Sequence, residues 1–234
     1  LANIALIAGY TEKGIDISSH TSKTVSVFDF KRADKIICLS DSHKQVLMQF
    51  VEEEKLEVLG SGISDPFGAD IETYRRCRDE IFRAVDEFIE RIDIVPLKAW
   101  HIEKIAELEK LCFSSPWSEE AILDSFKRGT KFLVAEKFGT CLGYIGINCI
   151  LDEGYVTNIA VFPKWRKKGV GSALLKATFS LALENGLKFV SLEVRESNFE
   201  AISLYEKFGF KTEGKRKNFY ENPREDALIL TKRF

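Results

Sequence analysis

The chain has 234 residues, of which 45% are hydrophobic and 30% are charged, and its formal net charge is −2. These values predict an ordinary globular protein with one large core or two small ones, and they give no indication of nucleic-acid binding. Five cysteines without paired spacing and three histidines that do not cluster with them argue against a disulfide framework and a metal site. Because no disulfide framework is expected, we expect a protein of the reducing cytoplasm. No apolar run reaches the roughly 20 residues of a membrane span.

The first 91 residues predict an incomplete α/β domain. Short buried strands are expected at residues 35–39 and 56–59, with a helix over 41–51 between them. Apolar residues at helical spacing predict a long helix from residue 71 to about residue 91. Two strands and a few helices make a poor sheet by themselves. No flexible linker follows this helix, so it should lead almost directly into a second domain, residues 92–234.

The second domain shows a complete succession of strands and helices. In chain order, the elements predicted are a strand at 93–97, helices over 101–111 and from Ser118, strands at 132–135, 143–150 and 155–161, a helix over 172–185, a strand at 189–195, a helix from Ser197 to Phe208, and strands at 210–215 and 227–231. Gly186 and Gly209 are expected to end the helices that precede them. Ser197 and Glu200 have the spacing of a capping box.

A glycine-containing turn joins the predicted strand at 155–161 to the following helix. It reads Arg166-Lys-Lys-Gly169-Val-Gly171-Ser172. Its two glycines let the backbone come close to a ligand, and the first free N–H groups of a helix bind anions. Three basic residues add positive charge, so this turn predicts a pyrophosphate site. The alternative is a plain turn with a solvated basic face, because the R-x-x-G-x-G pattern is weak by itself.

The strand at 189–195 carries a carboxylate in its middle. Strand alternation places Glu193 and Arg195 on one face of this strand. A buried carboxylate is costly unless it has a partner or a chemical task, and a salt bridge to Arg195 or Arg216 is the alternative to a catalytic role. In the next helix Tyr205 lies on an apolar face, where it could simply pack in the core. A buried phenol still needs a hydrogen-bond partner.

These motifs together resemble the GNAT superfamily of acetyltransferases. The resemblance rests on the glycine-containing turn, on Glu193 to Gly209, on Asn158-Ile-Ala-Val161 and on Arg216 to Ala227. Within the superfamily it is to the RimI group, the ribosomal-protein alanine N-acetyltransferases, and it covers residues 92–234. It implies an α/β domain with a mixed, mostly antiparallel central sheet flanked by helices, and acetyl-CoA as the cosubstrate, without a metal. One departure is Phe162, where RimI-type enzymes often carry an acidic residue.

The resemblance also assigns roles to individual residues. Glu193 matches the general base that takes a proton from the acceptor amine, and Tyr205 matches the general acid that protonates the departing CoA thiolate. The segments that match the peptide groove carry Phe113, Trp117, Phe219 and Tyr220, although ordinary loop packing would also explain these aromatic residues. The residues that match the cofactor site are Ile159, Ala160, Val161, Arg166, Lys167, Lys168, Gly169, Val170, Gly171, Ser172 and Asn198, the last of which is also a good N-cap.

The expected reaction is direct transfer of acetyl from acetyl-CoA to the N-terminal alanine of a ribosomal protein, or of a similar peptide, in a ternary complex. Two alternatives remain open. Acceptor pockets diverge while the cofactor site stays recognisable, so the acceptor could be a lysine or a small amine. The domain could also be a binding module that no longer catalyses, although retention of Glu193 and Tyr205 argues against this. The sequence does not indicate an oligomeric state.

Residues 1–91 resemble a different family, the low-molecular-weight protein tyrosine or arginine phosphatases. The matching segments are Gly14 to His20, Ala33 to Ile37, Ser42 to Lys44, Asp65 to Gly68, and Tyr74-Arg75. The resemblance implies a partial Rossmann-like α/β segment in which Asp65 matches the general acid. The nucleophilic cysteine of the family lies in an N-terminal C-x5-R phosphate loop, and this sequence starts after that point.

Cys77 and Arg83 have the C-x5-R spacing of such a phosphate loop. The segment between them contains no glycine, lies in a helical pattern and places two acidic residues where a phosphate would bind. We therefore predict that residues 1–91 are inactive as a phosphatase in this sequence. The segment is expected to be either part of a truncated fusion protein or a remnant of a phosphatase domain. Leu1 in place of methionine favours truncation, and an upstream segment with a phosphate loop would restore phosphatase activity.

Overall fold

The computed structural model describes residues 26–33 and 35–234, together with the single residues 12, 14, 19, 21 and 24. The chain forms two compact units, Leu1–Arg91 and Ile92–Phe234. No helix among the described residues is long and apolar enough to cross a membrane. The same residues contain no group of three or more His, Cys, Asp or Glu side chains that could hold a metal ion.

The first unit contains a small parallel sheet. Its described elements are α1 (Val27–Arg32), β1 (Ile36–Cys38), α2 (Asp41–Leu47), a short 3-10 helix (Glu53–Lys55), β2 (Leu56–Val58) and α3 (Ile71–Glu90). β1 and β2 pair in parallel, with Ile36 opposite Leu56. Leu59 and Ile63, which follow β2, are buried in a small core together with Ala84 of α3. The parallel pair agrees with the predicted Rossmann-like α/β segment.

Two helices of this unit differ from the prediction. α2 ends at Leu47, earlier than the predicted residue 51. The sequence pattern does not predict α1, because six residues are too few to show a helical period. A capping box begins this helix: Ser26 Oγ accepts a hydrogen bond from Asp29 N (3.3 Å), and Asp29 Oδ2 accepts one from Ser26 N (2.9 Å).

The phosphatase-like motifs of the first unit can be located in part. Cys77 and Arg83 both lie inside α3, which confirms that their spacing does not form a phosphate loop. Asp65 lies in the loop between β2 and α3, where its Oδ1 accepts a hydrogen bond from Phe67 N at 3.0 Å. Its match to a general acid stays a prediction. The segment from residue 14 to residue 20 lies largely outside the described residues.

The second unit is built on a seven-stranded sheet. Its elements are β3 (Asp93–Pro96), α4 (Ala99–Cys112), α5 (Glu119–Lys127), β4 (Lys131–Lys137), β5 (Thr140–Ile150), β6 (Glu153–Val161), a short 3-10 helix (Pro163–Trp165), α6 (Val170–Glu184), β7 (Phe189–Arg195), α7 (Phe199–Lys207), β8 (Lys211–Tyr220) and β9 (Glu225–Arg233). The strand order is β3-β4-β5-β6-β7-β9-β8, and all neighbours are antiparallel except β6 and β7. This confirms the predicted mixed, mostly antiparallel sheet flanked by helices.

Two apolar cores cover the two faces of this sheet. On one face, Leu174 and Leu175 of α6 are fully buried and pack in the same core as Leu192 of β7. Burial of a leucine side chain stabilises the fold by about 1.5–3 kcal/mol. On the other face, Ile105 of α4 and Ile122 of α5 are also fully buried. Because the side chains of a strand alternate, the odd-numbered residues of β7 point to the α4–α5 face.

The starts of two helices position the site and differ in detail from the prediction. α6 begins at Val170, directly after Gly169, whose φ of +84° is a left-handed value that favours glycine. α7 has Asn198 as its N-cap, and Asn198 Oδ1 accepts a hydrogen bond from Ala201 N at 3.3 Å. The predicted capping box is therefore wrong: the exposed Glu200 side chain pairs with Lys167 instead, at 2.8 Å.

Candidate active site

A cleft opens between the parallel strands β6 and β7. Their pairing runs from Glu153 opposite Phe189 to Tyr155 opposite Ser191, and it ends there. Both strands continue beyond this point without pairing to each other, so the sheet is split along part of its length. A split between parallel strands exposes backbone hydrogen-bonding groups that must find partners elsewhere.

β6 lines one side of this cleft with its backbone. A bulge at Thr157 shifts its register on β5. The residues predicted to bind the pantetheine arm, Ile159, Ala160 and Val161, pair with β5 along one edge. Their backbone groups on the opposite edge face the gap that β7 leaves, where an extended ligand could bond to them.

The turn between β6 and α6 presents backbone N–H groups at a helix start. Lys167 and Gly169 both have positive φ values, +59° and +84°. The first helical hydrogen bond runs from Ala173 N to Gly169 O at 2.9 Å. The amides of residues 170–172 precede it, and amides in this position, together with the positive end of the helix dipole, bind anions.

The three cations of this turn make exposed contacts that a ligand can replace. Arg166 donates through Nε to Val161 O (3.2 Å) and through Nη2 to Cys112 Sγ (3.3 Å). Lys167 pairs with Glu200, and this contact raises the pKa of the lysine. Lys168 Nζ lies 4.8 Å from the centre of the Trp165 ring. All three basic residues lie within the four positions that precede α6.

Glu193 lies on β7 and faces the α4–α5 side of the sheet. Its side chain is 32% exposed, and its Oε1 is 3.1 Å from Arg216 Nη1. Of the two salt bridges considered from the sequence, the structure thus forms the one with Arg216. An ion pair of this exposure is worth at most about 1 kcal/mol, so it does not prevent the carboxylate from accepting a proton from another group.

Tyr205 of α7 is 5% exposed, and its ring lies 5.7 Å from that of Phe210. Burial raises the pKa of its phenol well above the ordinary value, and the charge of Tyr220 raises it further. The phenol is therefore protonated throughout the neutral range. Tyr220 is coupled to Glu193 as well: burial raises the pKa of Tyr220, Arg195 lowers it, and Glu193 raises it.

Arg195 connects the two walls of a groove on this face. Its Nη2 donates to Ser114 Oγ (3.2 Å) in the loop between α4 and α5, and its Nη1 donates to Glu225 Oε2 (3.1 Å) at the start of β9. Its guanidinium also lies 4.2 Å from the centre of the Tyr220 ring. The sequence suggested Arg195 only as a partner of Glu193. Its hydrogen-bond partners lie 27 to 81 residues away and could not be predicted from local spacing.

The aromatic residues predicted for the peptide groove lie on these two walls. Phe219 and Tyr220 contact each other edge to face, with ring centres 5.1 Å apart, and Phe219 is 43% exposed. Phe113 and Trp117, in the loop between α4 and α5, are partly buried and pack on the α4–α5 core. Arg195 contacts both segments, so the structure brings the two predicted groove segments together.

A buried carboxylate beneath this groove escaped the sequence analysis. Glu109 of α4 is fully buried. It accepts hydrogen bonds from Trp117 N (2.8 Å), from Asn158 Nδ2 (2.9 Å) and from the Tyr144 hydroxyl. Burial, and then the charge of Glu109, raise the pKa of that phenol. The sequence did contain one indication that Glu109 is buried: it lies four residues after Ile105 and therefore on the inward face of the same helix.

Parallel strands that split, followed by a helix start with free backbone amides, are the arrangement of an acetyltransferase of the GNAT type. The model of the acetyltransferase (GNAT) family matches residues 102–210. A candidate ribosomal protein bS18-alanine N-acetyltransferase of Bacillus subtilis (strain 168) is 38% identical over 131 residues, which cover 55% of this chain and 87% of the relative. The ribosomal protein bS18-alanine N-acetyltransferase of Escherichia coli (strain K12) is 35% identical over 136 residues, which cover 56% and 86%.

A solved structure gives the same result. The crystal structure of the ribosomal-protein-S18-alanine N-acetyltransferase from Escherichia coli superimposes with a TM-score of 0.56 and 30% identity, over 60% of this chain and 92% of that one. The chain therefore belongs to the GNAT family of acetyltransferases, in the group of the ribosomal protein bS18-alanine N-acetyltransferases. The resemblance inferred from the sequence motifs is confirmed.

The first unit has a separate match. The model of the low molecular weight phosphotyrosine protein phosphatase family matches residues 3–95. This confirms the second resemblance inferred from the sequence. The likeness concerns the family, and the expected lack of phosphatase activity in residues 1–91 stays a prediction.

Proposed function

We propose that residues 92–234 transfer the acetyl group of acetyl-CoA to the α-amine of an N-terminal alanine, and that the acceptor is a ribosomal protein of the bS18 type. One observation carries this proposal: a carboxylate, Glu193, lies on the strand bordering a cleft whose other end is an anion-binding helix start. The relatives named for this reaction, at 38% and 35% identity, support the choice of acceptor.

The cofactor is proposed to lie along the cleft. Its pyrophosphate would be held by the amides of residues 170–172 and by Arg166, Lys167 and Lys168, because both backbone dipoles and cations favour the anion there. The pantetheine arm would bond to the cleft-facing backbone of residues 159–161. Asn198 would contact the cofactor through whatever hydrogen-bonding capacity its capping role leaves.

Glu193 is proposed as the general base. The α-amine of a peptide has a pKa of about 8, so a carboxylate needs to remove a proton that is only weakly held near neutral pH. The amine nitrogen then attacks the thioester carbonyl, the C–N bond forms and the C–S bond breaks. Glu193 receives the proton directly or through water, and it leaves its exposed pair with Arg216 at small cost.

Tyr205 is proposed as the general acid. Its raised phenol pKa keeps the proton on the oxygen in the resting enzyme. The departing CoA thiolate takes up this proton, and the phenol is restored by exchange with the proton that the amine released. A positioned acid or base contributes typically about 10²–10⁴-fold to the rate.

The groove walls support a short N-terminal residue as the acceptor. Phe219 and Tyr220 form one aromatic wall, with Tyr220 close enough to Glu193 for its charge to affect the phenol. Phe113 and Trp117 lie in the loop that forms the other wall, and Arg195 contacts both walls through Tyr220 and Ser114. An apolar wall accommodates the methyl group of alanine without leaving a buried polar group unpaired.

The test is thiol release from acetyl-CoA in the presence of a hexapeptide that begins Ala-Arg-Tyr. The matched control is the same peptide with a blocked N-terminus and an internal lysine. Turnover only with the free N-terminus supports the proposal. Turnover with the blocked peptide would assign the activity to lysine, and tight binding of acetyl-CoA without turnover on either peptide would favour a binding module.

A further inference from the structure

Glu109 connects three separate parts of the second unit from a fully buried position. Its Oε2 accepts from the backbone of Trp117 in the α4–α5 loop, and its Oε1 accepts from Asn158 of β6 and from Tyr144 of β5. All three partners are neutral donors. Both oxygens of the Glu109 side chain thus accept hydrogen bonds, and none of the partners is a charged group.

A buried carboxylate at position 109 stabilises the fold less than a well-packed apolar side chain would. Removing a carboxylate from water costs several kcal/mol, and each hydrogen bond to a charged group returns about 1.5–3 kcal/mol. The surrounding core is apolar, with fully buried Ile105 and Leu108 on the same helix. Stability alone would be served as well by another apolar side chain at this position. The carboxylate is therefore explained better by the groups that it orients.

One oriented group is Asn158, and the strand register places it near the proposed base. The last pair between β6 and β7 is Tyr155 with Ser191. Glu193 lies two residues beyond Ser191. Asn158 lies three residues beyond Tyr155, and the bulge at Thr157 takes up the additional residue. Asn158 contacts Glu109 of α4, so it faces the α4–α5 side of the sheet, as Glu193 does. The two side chains therefore project from opposite borders of the cleft, at the same level.

The other oriented group is the loop between α4 and α5. The amide of Trp117 is held at 2.8 Å by Glu109, next to Ser118, which caps α5 through Ala121 N (3.2 Å). The same loop carries Ser114, the partner of Arg195. One buried carboxylate thus fixes both a wall of the groove and a side chain across from the base.

We propose that Glu109 is a positioning residue for the acceptor: it sets the α4–α5 loop and the Asn158 amide in the arrangement that receives the acceptor's amino terminus. This rests on the proposed function of the groove. Glu109 acts through Trp117 and Asn158 and does not touch the reacting atoms. Its loss therefore weakens use of the acceptor and leaves binding of acetyl-CoA unchanged.

The main test uses the substitution Glu109→Gln in the full chain. Glutamine has the shape of glutamate, but its NH2 group replaces one acceptor oxygen and meets a hydrogen-bond donor of the protein. Tyr144→Phe is a second, milder variant that keeps the carboxylate and removes one of its bonds. The matched control is His101→Gln. His101 lies on the same helix, is 1% exposed, and bonds to Lys98 N and to Glu136, both at 3.0 Å. Among the described residues, its hydrogen bonds go to Lys98 and Glu136 and to none of the groove residues.

Two measurements are made on all variants. The first is hydrogen exchange of the Trp117 amide by NMR, which needs no activity. The second is steady-state kinetics with the free N-terminal hexapeptide, together with the Kd for acetyl-CoA. We expect Glu109→Gln to speed exchange at Trp117 at least tenfold and to lower kcat/KM for the peptide about tenfold or more. Tyr144→Phe should show smaller changes in the same direction, and acetyl-CoA Kd should stay within twofold.

The control separates positioning from loss of stability. His101→Gln should leave exchange at Trp117 and the peptide kinetics as in the unmodified chain. Unchanged exchange at Trp117 in Glu109→Gln would overturn the proposal, and so would peptide kinetics that match those of His101→Gln. If the unmodified chain does not acetylate the peptide at all, the proposed function fails, and the exchange measurement alone still decides whether Glu109 holds the loop.

Discussion

Glu193 of β7 and Arg216 of β8 form an ion pair of 3.1 Å across the intervening strand β9. Arg195, two residues after Glu193, is engaged separately with Glu225 at 3.1 Å. Glu193 and Glu225 thus form ion pairs with two different arginines. The proposed base can therefore exchange its partner without disturbing the contacts that hold the groove walls.

The first prediction concerns the strength of the Glu193–Arg216 pair. Arg216 is 55% exposed on its side chain, and water screens an exposed pair. Arg216→Gln should therefore lower the free energy of unfolding by less than about 1 kcal/mol. Urea denaturation followed by circular dichroism measures this. A loss of several kcal/mol would mean that the pair is a structural element and that Glu193 is not available as a base.

The second prediction concerns the anion-binding turn. Gly169 has a φ of +84°, and any other residue there is strained by about 1–2 kcal/mol. Relief of this strain would move the amides at the start of α6. Gly169→Ala should therefore raise the KM for acetyl-CoA about tenfold, as measured by thiol release, with little change in the KM for the peptide.

The chain offers a matched control at the other end of the same helix. Gly186 also has a positive φ, +66°, and an added Cβ would meet nothing within 4 Å at either glycine. Gly186→Ala should cost similar stability and leave the KM for acetyl-CoA unchanged. Equal effects of the two substitutions on this KM would argue against a cofactor site at the turn.

The third prediction concerns pH. Burial raises the pKa of Tyr205 above the ordinary value of about 10 for a tyrosine. The phenol therefore keeps its proton up to pH 10. The rate should increase as the acceptor amine loses its proton near pH 8 and then stay level to pH 10. Tyr205→Phe should lower kcat by about 10²–10⁴-fold without changing this profile. A decline centred below pH 9.5 that disappears in Tyr205→Phe would contradict the raised pKa of Tyr205, and a kcat in Tyr205→Phe equal to that of the unmodified chain would contradict its assignment as the acid.

The fourth prediction concerns the division of the chain. α3 ends at Glu90 and β3 begins at Asp93, and the second unit has its own two cores. We propose that residues 92–234 are an independent acetyltransferase domain and that residues 1–91 are a phosphatase-like one. Residues 92–234 expressed alone should fold cooperatively and retain the kcat/KM of the full chain within about threefold. Failure of this fragment to fold, with the full chain stable, would refute the boundary.

The sequence predicted most elements of the second unit because their signals are local. The β7 strand was predicted at 189–195 and is observed there, and Gly186 and Gly209 follow helix ends with φ values of +66° and +83°. The errors are local as well. Asn198, not Ser197, caps α7, because the two residues are equally good caps in isolation and tertiary contacts choose between them. Ser197 N instead bonds to Glu225 Oε1 at 2.6 Å.

The candidate site was predictable only where a motif carried it. The turn at Arg166 to Ser172, Glu193 and Tyr205 follow from motifs, whereas Glu109 and Arg195 do not. The hydrogen bonds of Glu109 reach partners 8, 35 and 49 residues away, and that from Arg195 to Ser114 spans 81 residues. Such contacts depend on how whole helices and strands pack together, so they cannot be predicted from the periodicity of a single helix or strand.

The most direct test of the account is the rate of acetyl transfer by Glu193→Gln to the free N-terminal hexapeptide under saturating acetyl-CoA. Glu196→Gln is the matched control, because Glu196 also pairs with a cation of β8, Lys215, at 2.7 Å. The account predicts that kcat falls about 10²–10⁴-fold in Glu193→Gln, with acetyl-CoA Kd unchanged, and that Glu196→Gln stays within about twofold. If Glu193→Gln kept a kcat like that of Glu196→Gln, Glu193 would not be the base.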